Sequence, residues 1–599
     1  MSERKSHQQN THQILVWLLI IILGGWQSVF GRTQYLGDWI SYLNVSRAVS
    51  GLDWKAIFDP MWNPGYPALI ALARGFAPHT RTGEWYAIAV LNWLIFLGAF
   101  AGWQYLVRQA VARYDPSVDF DCSPALLWTT TCLFLSSVLC LERVSSVSPD
   151  LLVSALFILA AAQVLALLNR FRASDAVALG VVLGVGYWVK GVFLPLACAF
   201  LFTLLIACLA KLVPRRSLVL AAAVFLGLFL PYVFATSWSY GQFTLGESGT
   251  LNYAFHVNHL PHWTNWQGGP AEFGKPIHPT RQLLGDLPVF EFGAPFKTTY
   301  PPYNNMPYWY QGFVHFFNLR LQLLAMFRSC YFLGQVIEEN PFFCLAILAF
   351  FVAIAHRECR LSVRKFAFIL WPIFLTAALG ILAYMLVHVE DRYLGPSFVI
   401  LGLIPLAPLI NPEMSKKPIL LASIALLYVL GTAAELKARE AATLRATLRG
   451  VTFRDDQQWK LAQRLSSYGI KSGARVASIS SAPGYRCAWA YIANLRIVAE
   501  FGSLAWQVEP WDRTWSEHSR IEESDAEYGK VFYQLPPQDR ARVLAAFRQT
   551  GAQAVVALSR PSPSPEPGWQ HIEGTESWIY NFDSNSANPN QDLASMSSH

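Results

Sequence analysis

One carboxylate, Asp38, stands just past an apolar run, Ile14–Phe30, in the segment GDWISY. An acid held at a membrane surface can take the proton from a hydroxyl that attacks an activated sugar. The same acid could instead start the helix Trp39–Ser50, because Gly-Asp ahead of it suits an N-cap. Trp39 and Tyr42 suit an interfacial helix under either reading. Glu142 and Asp150 flank the short segment LERVSSVSPD. Two acids so close could share a divalent metal, or one could assist Asp38. Asp150 after Pro149 is also a good helix start. No cofactor is demanded by these residues.

Cations accompany the acids. Lys190 ends the apolar stretch GVVLGVGYWVKG. A lysine there must meet an anion or snorkel to the interface, and the phosphate of a lipid carrier would satisfy it. In HVEDRYLGP, His388, Glu390, Asp391, Arg392 and Tyr393 crowd one turn. Arg392 could grip phosphate with its planar fork, or pair with Glu390 or Asp391. The segment 237–318 is dense in aromatic and polar residues, including His256, Tyr300 and Tyr303. That composition suits a glycan site, and equally a loop anchored by an aromatic belt. His256, His259 and His262 could hold a metal, although prolines break their spacing. The catalytic candidates are therefore Asp38, Glu142 and Asp150. The substrate-binding candidates are Lys190, Glu390, Arg392, Tyr393, His256, Tyr300 and Tyr303.

These residues hang on apolar spans. Of 599 residues, 53% are hydrophobic and only 14% charged, where a soluble protein carries nearer a quarter. The chain reads as a polytopic α-helical membrane protein. The net charge of +7 is small for this length and does not suggest nucleic acid. We read eleven spans: 14–30, 86–107, 124–141, 150–168, 175–189, 192–210, 217–236, 341–356, 366–387, 397–411 and 418–435. With that count, the basic loops around Arg108, Arg170, Arg215, Arg357–Lys365 and Lys416 all fall on one side, the cytoplasmic one. The 31–85 loop, the 142–149 loop, the 237–340 segment, the turn at His388 and everything after Glu435 then face outward.

Residues 1–435 form the membrane domain in this reading, and 436–584 a small extracytoplasmic α/β domain. Expected there are an amphipathic helix over 455–468, strands at Arg475–Ser480, Arg496–Phe501 and Ala554–Leu558, and helices at Tyr485–Asn494 and Gln538–Thr550. No Gly-rich phosphate loop is present, which argues against a nucleotide site. Only Cys487 of the nine cysteines falls in that part, so it holds no internal disulfide. The Ser/Asn-rich tail 585–599 reads as disordered.

In order and sidedness, five motifs resemble the GT-C superfamily of membrane glycosyltransferases: GDWISY at Gly37–Tyr42, NPGYPALIAL at Asn63–Leu72, SPDLL at Ser148–Leu152, GVGYWVKG at Gly184–Gly191 and RYLGP at Arg392–Pro396. The resemblance spans about residues 14–435. It is nearest the branch holding protein O-mannosyltransferases, the lipid A aminoarabinose transferase and rhizobial lipopolysaccharide-core transferases. It implies an outward-facing site in a bacterial inner membrane and a polyprenyl-phosphate sugar donor, normally with inversion. The acceptor would be an extracytoplasmic glycan, lipid or protein. It also implies Asp38 as base, with Lys190 and Arg392 near the donor phosphate. The chain departs from the pattern at Gly37, where many relatives carry a second acid, and at Asn63, where aminoarabinose transferases carry a lysine. Two other classes compete: a transporter or flippase of lipid-linked glycans, and an inert scaffold whose C-terminal domain binds envelope glycan. The first would want charges within spans and repeated halves, and neither is evident.

Overall fold

The computed structural model describes residues 2–31, 37–259, 275–276, 278, 281–292, 299, 308, 310–311, 315–480, 487–501, 531–558 and 567–582. The chain forms two compact units. One comprises Met1–Thr33, Val45–Asn258 and Phe317–Gly450, and the other Gln34–Asn44, His259–Phe316 and Val451–His599.

The first unit is helical. Among the described residues, seven helices are long and apolar enough to cross a membrane: Thr11–Phe30, Arg81–Tyr114, Pro124–Glu142, Asp150–Asn169, Arg215–Tyr240, Asp391–Ile410 and Pro418–Leu448. Two further pairs, Leu319–Glu339 with Pro341–Ala355 and Arg357–Ile369 with Trp371–Met385, qualify jointly but bend by 91° and 78°. Counting each pair as one span gives nine. The shorter apolar helices Ala173–Val189 and Phe193–Leu209 complete the set, so every one of the eleven expected segments is helical. This is a multi-pass membrane protein.

Proline explains both bends. Pro341 and Pro372 sit in the first turn of the second helix of each pair. Proline is welcome there. It pushes Asn340, just before Pro341, out of helical geometry, while Pro372 has no N–H to carry the preceding helix onward and that break falls at Leu370. The first helix of each pair lies where a loop was expected. Leu319–Glu339 exposes Leu319, Leu323, Phe327 and Tyr331 along one stripe, the spacing of an amphipathic helix. Arg357–Ile369 turns its basic residues outward and buries Cys359, Ser362, Val363 and Phe366, so the expected basic loop is an amphipathic helix. Pro418–Leu448 likewise runs past the expected end at residue 435.

Inside the unit, polar side chains stitch the apolar helices together, as they must where no water is present. Gln27 donates to the Leu139 carbonyl at 3.1 Å and to Glu440 at 2.7 Å, and accepts from the Val144 amide at 2.7 Å. Thr203 and Thr376 pair at 3.1 Å. Just before Glu142 the helix widens into a π-turn, Leu135–Leu139. There Ser136 pairs with Thr432 at 2.9 Å. Such widened turns re-aim the residues that follow and cluster at functional sites.

The second unit is built on a seven-stranded mixed sheet. Two antiparallel two-residue strands, β1 (Lys275–Pro276) and β4 (Tyr310–Gln311), pair separately. The main sheet takes β2 (Arg281–Gln282), β3 (Val289–Glu291), β5 (Arg475–Ile479), β6 (Arg496–Phe501), β7 (Ala554–Ala557), β8 (Trp569–His571) and β9 (Trp578–Asn581), in the order β2-β3-β6-β5-β7-β9-β8. The central strands β6, β5 and β7 are parallel, joined by the helices Ala488–Ile492 and Pro537–Gln549. Expected strands and helices appear within one to three residues of their positions. The antiparallel flanks were not foreseen. β8 and β9 extend one edge, while β2 and β3 arrive from the aromatic segment far upstream. Val289, Phe501, Phe532, Phe547 and Val555 form part of the core beneath the sheet.

Candidate functional site

Asp150 opens the helix Asp150–Asn169, whose Ala/Leu-rich sequence favours helix and whose first turn welcomes an acid. Its carboxylate does not serve as a cap. It is buried, with a side chain 5% exposed, and it forms an ion pair with Lys190. Ser148 donates to its other oxygen at 2.5 Å, and the Arg392 Nη1 stands 3.6 Å from that same oxygen. The anion Lys190 meets here is a protein carboxylate, a partner the sequence reading did not name. Lys190 and Arg392 keep 22% and 30% of their side-chain surface. A buried acid therefore backs two partly exposed cations.

Tyr393 lies under both of them. Lys190 Nζ is 4.6 Å and the Arg392 guanidinium 5.2 Å from its ring centre, each within cation–π range. Tyr384 stacks on its ring at 4.8 Å. Arg392 Nε also donates to Glu390 at 2.6 Å, so the expected internal ion pair exists alongside the Asp150 contact. The neighbouring Asp391 pairs instead with Arg439 at 3.0 Å. Glu390 in turn lies 3.4 Å from His388 Nε2. Burial works against the Glu390 charge, but Arg392 and His388 outweigh it and hold the carboxyl well below the usual range. His388 stacks face to face on His256 at 4.0 Å, and Arg328 donates to the His256 carbonyl.

Glu142 completes the group. Its Oε1 accepts from Ser154 at 2.5 Å, one turn beyond Asp150, while its Oε2 is buried without a partner. Gly395 passes close by: a Cβ there would collide with Glu142 and with the Ser137 carbonyl. With both Asp150 oxygens engaged, Glu142 Oε2 is the oxygen this pair would offer to a metal. Among the described residues, no group of three or more His, Cys, Asp or Glu side chains is arranged to hold one.

Seven of the ten candidates thus gather at one end of the first unit: Glu142, Asp150, Lys190, His256, Glu390, Arg392 and Tyr393. Asp38 belongs to the second unit, in the first turn of Gly37–Ser50. Trp39 and Tyr42 beside it are buried. Tyr300, Tyr303 and His262 lie outside the described residues, as does the tail 585–599. Sequence reasoning missed Ser148, Ser154 and Tyr384. Ser148 had a signal, since Ser-x-Asp lets a hydroxyl reach the acid two residues on.

A multi-span helical protein with a cation pair over a buried acid is the class this fold and site define. No family model matches the chain, and no curated protein matches it. Among solved structures, it is similar to ArnT from Cupriavidus metallidurans, in the apo state and bound to undecaprenyl phosphate. Both share 12% identity over 94% of this chain and 97% of that one, with a TM-score of 0.47. It is also similar to the oligosaccharyltransferase AglB from Archaeoglobus fulgidus, in complex with an inhibitory peptide and a dolichol-phosphate. That match has 12% identity, covers 92% of this chain and 69% of that one, and has a TM-score of 0.49.

Proposed function

We propose that this chain is a GT-C-type glycosyltransferase that moves one sugar from a polyprenyl-phosphate carrier to an extracytoplasmic acceptor. The observation that carries the reading is the convergence of Lys190 and Arg392, more than two hundred residues apart in sequence, on one buried carboxylate. Both cations stay partly exposed at the ends of apolar helices, the level at which a lipid phosphate lies.

In the proposed reaction an acceptor hydroxyl oxygen attacks the anomeric carbon. The bond from that carbon to the phosphate oxygen breaks, and the electron pair leaves with the lipid phosphate. Charge grows on the phosphate as it departs, and Lys190 and Arg392 would stabilise it. Asp38 is the proposed base for the hydroxyl proton. Asp150 would hold the two cations at a fixed spacing while neutralising part of their charge.

The test is transfer by the purified protein in nanodiscs containing polyprenyl-phosphate sugars. It is paired with mass analysis of envelope glycans from a deletion strain, which would name the lost sugar and acceptor. Release of free polyprenyl phosphate that depends on an acceptor supports the reading. Movement of intact glycolipid between leaflets, with no release of carrier phosphate, overturns it in favour of a flippase.

A further inference from the structure

We propose that Asn63–Tyr66, within the NPGYP motif, is a clamp that sets the spacing between Asp150 and Lys190. The proposal rests on the reading of those two residues as part of a lipid-phosphate site and deepens it. Tyr66 is fully buried, and its hydroxyl donates to Asn92 Oδ1 at 2.9 Å. The Asn92 amide, buried within the Arg81–Tyr114 span, donates to the Val144 and Ser146 carbonyls at 2.9 and 2.7 Å. Those carbonyls belong to the short connection between Glu142 and Asp150. One tyrosine therefore reaches, through one amide, the loop that ends in Ser148 and Asp150.

The same motif grips the other partner. Asn63 Nδ2 donates to the Tyr187 carbonyl at 2.8 Å. At Gly65 a Cβ would lie 2.7 Å from the Trp188 carbonyl oxygen and 2.9 Å from the Val189 nitrogen. Only glycine allows the backbone to pass there. Tyr187, Trp188 and Val189 form the last turn before Lys190. A four-residue segment thus fixes the backbone under the acid and under the lysine at once. The Asn92 amide holds its neighbours firmly, because leaving its own polar atoms unpaired within an apolar span is costly. Asn63 and Tyr66 are positioning residues in this scheme, acting through Asp150 and Lys190.

The test uses the full chain in nanodiscs, with Asn63→Ala and Tyr66→Phe each removing one hydrogen bond. The first measurement is the rate at which a small amine reagent modifies Lys190, followed by mass spectrometry. A lysine held less firmly on Asp150 should react faster, on the order of fivefold for one lost hydrogen bond. The second is affinity for undecaprenyl phosphate, which should fall by a similar factor. In a Lys190→Gln background, neither Asn63→Ala nor Tyr66→Phe should lower affinity further, because all act through one pair. A segment that merely held helices together would give additive losses and an unchanged Lys190 rate. Either result, in variants of wild-type melting temperature, overturns the clamp. Failure of the wild type to bind undecaprenyl phosphate would overturn the phosphate reading instead, with the modification rates still deciding the clamp.

Discussion

Arg392 faces three groups at once: Glu390 through Nε, Asp150 across 3.6 Å, and the Tyr393 ring. A lysine could satisfy one of these but lacks the planar fork for the rest. Arg392→Lys should therefore weaken polyprenyl-phosphate binding about tenfold or more, with little change in melting temperature. A lowered melting temperature with unchanged affinity would mean that Arg392 only neutralises Glu390. Asp38→Asn should slow transfer on the order of 100- to 10,000-fold while leaving insertion and stability intact. Near wild-type turnover in that variant would remove Asp38 as the base. Glu390 makes a pH prediction. Its carboxyl is depressed in the folded chain, so its stabilisation is complete above the ordinary glutamate value, about pH 4.3, and is lost as pH falls towards the depressed value. Glu390→Gln should flatten the acid limb of a melting-temperature profile, and an unchanged slope would refute the ion pair with Arg392. At this scale the charged residues were legible, because a charge beside an apolar run demands a partner. Beyond the local pair of Arg392 with Glu390, their partners were not. Asp150 with Lys190, and His256 with His388, are brought together only by the packing of distant helices.

Elements decide how near those residues come. The helix that begins at Asp391 carries Arg392 and Tyr393, and it approaches the π-turn before Glu142 at Gly395. Pro396 follows, and it has no N–H to donate back along the helix. Gly395→Ala would push a methyl group into Glu142 and the Ser137 carbonyl, so the helix must shift. Overpacking of this kind costs about 1–3 kcal/mol. The expected outcome is a lower melting temperature together with weaker polyprenyl-phosphate binding, because Arg392 moves with the helix. Wild-type values for both in Gly395→Ala would show that the close approach is dispensable. The RYLGP motif thus reads as a cation, a ring and a glycine that lets them dock. Spans were legible from hydropathy alone. The helices Leu319–Glu339 and Arg357–Ile369 were not, because an amphipathic helix shows too little net apolarity for a span and resembles a polar loop. β8 and β9 were missed for a related reason: three- and four-residue strands carry almost no periodicity to count.

At the scale of the whole molecule, the chain returns to one sheet from two places. Val289, Phe290 and Glu291 of β3 pair antiparallel with Phe501, Glu500 and Ala499 of β6. The Phe292 amide extends the pairing to the Val498 carbonyl at 3.0 Å, and the Ile497 amide donates to the Thr299 carbonyl at 2.8 Å. Sequence patterns could place β5, β6 and β7 but not this closure, because β2 and β3 are five residues in total and lie some two hundred residues upstream. The consequence is that residues 451–582 do not hold a complete fold on their own. Without β3, one edge of β6 presents unpaired N–H and C=O groups, a template for aggregation. The core also loses Val289 and Phe290, both buried, at about 1.5–3 kcal/mol for each side chain. Against a domain stability of about 5–15 kcal/mol, that loss is large. The exposed pair between Arg542 and Asp286, two contacts of 2.9 Å, adds little beside it. A fragment of residues 451–582 should therefore aggregate or melt early, whereas the same fragment joined to residues 281–292 by a flexible linker should be monomeric and melt cooperatively. Thermal melting with size-exclusion chromatography distinguishes the two. A monomeric 451–582 fragment with the same melting midpoint as the linked form would show that β2 and β3 lie against the sheet without completing it.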